Sequence, residues 1–189
     1  MKVRAREESD LPEVAEVLRR VHADNAYPVE GLADPVKFLD PESTIRAWVL
    51  VDAQDKIIGH ALISEMAPSD KRIEEFKRYL WRLEKPPFRQ GLVALGRLFV
   101  DPSARGKGAG KMLVEEAHRW TAEKLYRRIL LNVLLKDPAA IRLYENLGWT
   151  KYGEGVHINW KGEPFDQVYY ISPSLDKSAG PVLSPATGI

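Results

Sequence analysis

The 189-residue sequence contains no cysteine, which excludes disulfide frameworks, thiolate metal sites and acyl transfer through a cysteinyl intermediate. The expectation for any acyl chemistry is direct transfer. Charge of one sign is lacking as well: 28 basic against 27 acidic residues leave a formal +1, with no broad basic field to hold a phosphate backbone, so nucleic acid is not an expected partner. No run reaches the roughly 18 consecutive apolar residues that span a bilayer, and the stretch from Met1 to Val14 is charged, without an apolar h-region. The expectation is a cytoplasmic protein with no membrane partner. There is no internal repeat, and 44% hydrophobic residues, with 5 Trp, 7 Tyr and 5 Phe, suffice for the core of one domain.

What is present reads first as strand and helix punctuation. Lys2 to Arg6 alternates like a short strand, and Asp10 with Glu13 forms a D-x-x-E capping signal ahead of Leu11, Val14, Ala15, Leu18 and Val21, which share one helical face. Asn25 to Ser43 carries four prolines or glycines among acids and aromatics and reads as loop or short helix. Thr44 to Asp52 and Ile57 to Glu65 read as two antiparallel strands joined by the turn Ala53 to Lys56. Ser69 or Asp70 caps an inserted helix with Ile73, Phe76, Leu80 and Leu83 on one face, which Pro86-Pro87 ends.

Leu92 to Val100 is the next strand, followed by a loop and a long helix bearing Ala109, Met112, Leu113, Ala117 and Trp120, then the nearly apolar strand Arg128 to Leu135. Strand, helix, strand suggests a parallel crossover. Asp137-Pro138 opens a further helix that Gly148 closes. Trp149 to Gly153 and Gln167 to Ile171 read as final strands around a polar stretch from Gly155 to Phe165, and beyond Ser172 little remains to bury.

Between the strand ending at Val100 and the long helix lies Arg105-Gly106-Lys107-Gly108-Ala109-Gly110-Lys111, where free backbone N–H groups and the helix dipole favour an anion. A pyrophosphate is the natural guest. A Walker A loop would need a glycine at Arg105 and a hydroxyl residue at Met112; a dinucleotide fingerprint would need a glycine at Lys111 and a tighter turn than Asp101 to Arg105 allows. Neither fits.

The pattern R/Q-x-x-G-x-G/A does fit, on Arg105, Gly108 and Gly110 behind Leu98-Phe99-Val100-Asp101-Pro102, and resembles the acetyl-CoA signature of the GNAT superfamily of N-acetyltransferases. Asp137 to Trp149 resembles the second cofactor-side motif of that superfamily, N-x-x-A-x-x-L-Y-x-x-x-G-F/W. The resemblance covers about Lys2 to Ile171. It implies one α/β (α+β) domain over residues 1–172 with a flexible tail over 173–189. The fold implied is a mixed, mostly antiparallel sheet of about six or seven strands, its fourth and fifth parallel and splayed, with about four or five flanking helices.

The same resemblance implies acetyl-CoA as cosubstrate, no metal, and direct transfer to an amine. The backbone of Leu98, Phe99 and Val100 would bind pantetheine; Arg105, Gly106, Lys107, Gly108, Ala109, Gly110 and Lys111 would cradle the pyrophosphate; Asp137 stands where the family asparagine touches the cofactor, an acceptor without the amide donor. Tyr144 matches the tyrosine that protonates the departing sulfur. The base is unmarked, because Ala94 and Asn132 occupy the positions where relatives place glutamates. Asp24, Glu65, His22 and His60 are possible relays, none singled out.

Acceptor specificity falls on Ala23 to Asp40, where Asp24, Tyr27 and Glu30 suit an ammonium by charge and cation–π contact. The inserted helix, Ser69 to Pro87, has three readings: a lid, the face of a homodimer, or an edge cover. The preferred acceptor is a small or amino-acid-like amine; protein lysines or N-termini, and a non-catalytic CoA sensor, are the alternatives.

Overall fold

The computed structural model describes residues 1–86 and 91–174, so the expected tail from residue 175 and the Pro87 end of the insert lie outside the described residues. Its strands are β1 (Lys2–Ala5), β2 (Thr44–Val51), β3 (Ile57–Ser64), β4 (Leu92–Val100), β5 (Arg128–Leu134), β6 (Thr150–Ile158) and β7 (Pro164–Ile171). They form one sheet in the order β1-β2-β3-β4-β5-β7-β6, in which only β4 and β5 run parallel. The helices are α1 (Leu11–Asn25), α2 (Pro35–Leu39), α3 (Lys71–Arg82), α4 (Ala109–Leu125) and α5 (Pro138–Asn146). The expected mixed, mostly antiparallel sheet is therefore found.

Strand alternation sorts the helices onto two faces, because neighbouring residues point to opposite sides of a sheet. Trp48, Leu50, Ile129 and Leu131 pack with α4 and α5, whereas Val49 and Val51 pack under α1, and Leu130 packs with Tyr152, Tyr169 and Phe76 of α3. The insert thus covers the β5-β7-β6 part of the sheet. Leu83, expected on its buried face, is 48% exposed because α3 ends at Arg82 and the chain turns away at Glu84 (φ 53°).

Two expected caps take other roles. Glu13 does not reach back to Asp10; its Oε1 accepts from the Ile57 N–H at 2.9 Å, tying α1 to β3, while the Asp10 carboxylate accepts from Arg4 and from the Glu7 N–H. Asp137 precedes α5 as expected, but its side chain makes no capping bond. At the far end of α5, the Trp149 N–H bonds the Tyr144 carbonyl and the Gly148 N–H bonds that of Glu145, both at 3.0 Å, with Gly148 at φ 75°. This is a Schellman stop, and it fixes the helix that carries Tyr144. Gly148→Ala should lower stability by about 1–2 kcal/mol, the cost of a Cβ in the left-handed region, read as the midpoint shift in urea.

The final strands are longer than expected, with much of the polar stretch from Gly155 to Phe165 paired in a β6-β7 hairpin and β7 lying between β5 and β6. Beyond the buried Tyr152, the inward positions of β6 are Gly153, Gly155 and His157, and a Cβ at Gly155 would sit 2.6 Å from the Tyr169 hydroxyl. Its apolar Val156 and Ile158 face solvent. The hydrophobic pattern is inverted there, which hides the strand.

Candidate active site

β4 and β5 pair only from Leu92/Arg128 to Ala94/Leu130. From Leu95 onward, β4 has no partner on its β5 side, and the gap opens into a cavity of about 790 Å³, within the range of small-molecule and cofactor sites. A bulge accompanies the splay: β4 slips against β3 between His60 and Leu62, and Arg97 takes φ 48°. The extra residue shifts side-chain parity. Val93 and Leu95 before the bulge and Leu98 and Val100 after it pack toward α4, while Phe99 is sent under α1.

One end of the cavity is built by the glycine turn. Gly106 and Gly108 have φ of 74° and 80°, with no atom within 4 Å of where a Cβ would stand, and no side chain caps the first turn of α4. Open backbone N–H groups at a helix start form an anion cradle. Lys111 of the same turn and Lys136 also line the cavity and add positive charge, while Arg105 is paired with Asp24. Asp101 anchors this turn to α1: burial works against its ionisation, but hydrogen bonds from Ser103 and from Arg20 at 2.7 Å outweigh that and hold the carboxyl below its usual range.

Of the residues named from sequence, Leu98, Phe99, Val100, Arg105, Gly106, Gly108, Ala109, Gly110, Lys111, Asp137, Tyr144 and Tyr27 all border this one cavity. Lys107 does not, its ammonium being turned to the Ser103 carbonyl at 3.2 Å. Asp24 also stands outside the lining and pairs with Arg105 instead. Asp137 faces the cavity uncapped, and burial raises its carboxyl above the usual range against the opposing charges of Lys136 and Arg105.

Tyr144 is only 4% exposed, held between Trp149 and Tyr170, and its hydroxyl has no hydrogen-bond partner among the described residues. Burial pushes its pKa far up, with a smaller push from nearby Tyr27, whose own phenol burial raises to about 12. Both remain protonated donors at neutral pH.

The possible relays fare differently. His60 is fully buried, its Nδ1–H donating to the Arg97 carbonyl at 2.9 Å while Nε2 faces Arg6; burial drives its pKa down to about 3, so it is a neutral strut beneath the bulge. Glu65 pairs with Arg127, and neither residue, nor His22, borders the cavity. Asn132 does border it, but its amide donates to Gln167 at 2.7 Å. It offers no base.

A histidine that the sequence did not single out also borders the cavity. His157 Nε2 lies 2.6 Å from Oε1 of Glu30, whose Oε2 accepts from the Trp160 N–H at 3.1 Å, and the Trp160 indole donates to the Glu30 carbonyl at 2.9 Å. A carboxylate only accepts, so Nε2 carries the proton, and in the neutral ring Nδ1 holds the free lone pair. No described residue bonds Nδ1. An imidazole oriented by a carboxylate, with a lone pair left over, thus stands on the cavity wall. Among the described residues, no cluster of His, Asp or Glu is placed to hold a metal ion, and no helix is long and apolar enough to cross a membrane.

A model of the acetyltransferase (GNAT) family matches residues 11–149, from the start of α1 through the turn and the tyrosine helix. The chain belongs to this family. It is 24% identical over 190 residues to a mycothiol acetyltransferase of Geodermatophilus obscurus, matching 80% of this chain but 61% of that relative's length. To the peptidyl-lysine N-acetyltransferase YjaB of Salmonella typhimurium it is 27% identical over 149 residues, 79% of this chain and 78% of the relative. The crystal structure of Arabidopsis thaliana NAA60 in complex with acetyl-CoA superposes with a TM-score of 0.67 at 19% identity, over 90% of this chain and 96% of that one, a likeness of fold. The named acceptors differ between relatives, so kinship leaves this chain's acceptor to the geometry of its own cavity.

Proposed function

We propose that this GNAT protein transfers the acetyl group of acetyl-CoA directly to a primary amine of a small, amino-acid-like acceptor. The observation that carries the reading is the continuity of one cavity from the open glycine turn, along the unpaired edge of β4, to the Glu30-His157 pair. The residues present fit the cosubstrate. Gly106, Gly108, Gly110 and Lys111 offer backbone N–H groups and charge for a pyrophosphate, and the free edge from Leu95 to Val100 offers main-chain partners for pantetheine amides. Bound there, acetyl-CoA supplies an activated thioester.

The chain's own groups do the proton work. His157 Nδ1 takes the proton of the attacking amine, Glu30 holds the ring in the needed tautomer, and the Tyr144 hydroxyl donates to the departing sulfur. Tyr27 sits close enough to Tyr144 to act on its ionisation and walls the acceptor side. Against a non-catalytic sensor stands the presence on one cavity of both an oriented imidazole and a buried phenol, groups that binding alone does not need.

Saturating acetyl-CoA, at about 100 times its Kd, should add roughly 2.7 kcal/mol and raise the melting midpoint by about 5–10 °C for a chain of this size. No shift would remove the cofactor reading. Release of free CoA with a panel of amines, amino acids and peptides then tests transfer: turnover confined to peptides would favour a protein acceptor, and binding without turnover a sensor.

A further inference from the structure

Three arginines line the cavity, and two of them are neutralised within the chain: Arg72 by Asp70, through bonds of 2.9 and 2.6 Å, and Arg105 by Asp24. Arg97 is the exception. It has no carboxylate in ion-pair reach among the described residues; its Nε donates to the Phe38 carbonyl at 3.1 Å and its guanidinium lies 4.9 Å from the centre of the Phe38 ring. Resting on the proposed transferase reading, we infer that Arg97 is the anchor for an acidic group on the acceptor, making the substrate an amine that also carries a carboxylate.

The bulge fixes this guanidinium, since Arg97 sits at φ 48° and its carbonyl is gripped by the buried His60. A half-buried cation without a counter-ion is unfavourable, and a planar guanidinium with two free amino groups matches a carboxylate in bidentate fashion. Burial is the main penalty on the Arg97 charge, with a small addition from Arg72 on the first turn of α3, and an anion arriving there relieves it. This also gives the insert a role at the site. The amine end of such an acceptor would meet the Glu30-His157 pair, which lines the same cavity, and a polyamine, with cations only, would face Arg97 unmatched.

The test compares alanine, phenylalanine and γ-aminobutyrate with ethylamine, phenethylamine and propylamine, the same skeletons without the carboxylate, with spermidine as polycation. In CoA-release assays the acids should show kcat/KM at least about tenfold above their paired amines. On the CoA-loaded chain, acids should raise the melting midpoint and amines should not. Arg97→Gln should abolish both preferences, Arg97→Lys should retain part of them, and the acetyl-CoA melting shift should survive in each variant. Equal responses to acids and amines, preference for spermidine, or no shift with any acid would overturn the anion site. Failure of CoA itself to shift the melt would instead refute the cofactor reading, and the acid-against-amine comparison on the free chain would still decide Arg97.

Discussion

Tyr144→Phe is expected to lower turnover by more than about tenfold while leaving acetyl-CoA affinity nearly unchanged, the signature of a contact made in the transition state rather than in the ground state. The ring is fixed independently of its hydroxyl: Trp149 and Tyr170 pack against it at centroid distances of 5.2 and 6.1 Å, and the hydroxyl bonds no described residue, so phenylalanine fills the same space and leaves nothing unpaired. A raised phenol pKa looks unhelpful for an acid. The same desolvation, however, penalises a thiolate forming beside it, so donor and acceptor rise together and the proton has a reason to move only as the carbon–sulfur bond breaks. Unaltered turnover in Tyr144→Phe would remove Tyr144 from the acid role. Steady-state kcat and KM, measured with the best amine, decide between these outcomes.

Local chemistry was legible, and distant pairing was not. The boundaries of α5 followed from Asp137-Pro138 and Gly148, residues whose backbone preferences act whatever surrounds them, and the bounds of β4 matched its apolar run. The glycine turn showed itself for the same reason. The bulge at Arg97 left no trace, because a non-glycine residue holds the positive φ and the support comes from His60 on another strand. The β6-β7 hairpin was hidden by glycines on its inward face, where space for Tyr169 and Glu75 matters more than apolar surface. His157 fell inside that hidden hairpin. Its partner Glu30 lies 127 residues away, and one sequence carries no sign of such a meeting beyond the alternation of Val156, His157 and Ile158. Asp24 lies within the expected acceptor segment Ala23 to Asp40, but its carboxylate pairs with Arg105, a contact 81 residues apart that one sequence does not announce.

His157→Gln is expected to have the largest effect, a fall in kcat/KM of about 100-fold near neutral pH, in line with removal of a positioned general base. Glutamine is chosen because its amide still donates to Glu30, which keeps the contact between the α1-α2 loop and the hairpin, yet it takes no proton. The loss should shrink as the pH rises toward the acceptor's own amine pKa, since a larger share of the amine then arrives neutral and has less need of a base. A purely structural role for His157 would give a loss independent of pH and a lowered melting midpoint. Glu30→Gln should reproduce the pH-dependent loss in weaker form, because the ring remains but its tautomer is no longer held by a carboxylate. The Trp160 contacts to the Glu30 carbonyl persist in that variant, so loop position is separable from proton chemistry. Flat pH profiles for both variants would move the base elsewhere and leave the anion site at Arg97 as the only specific feature of the acceptor end.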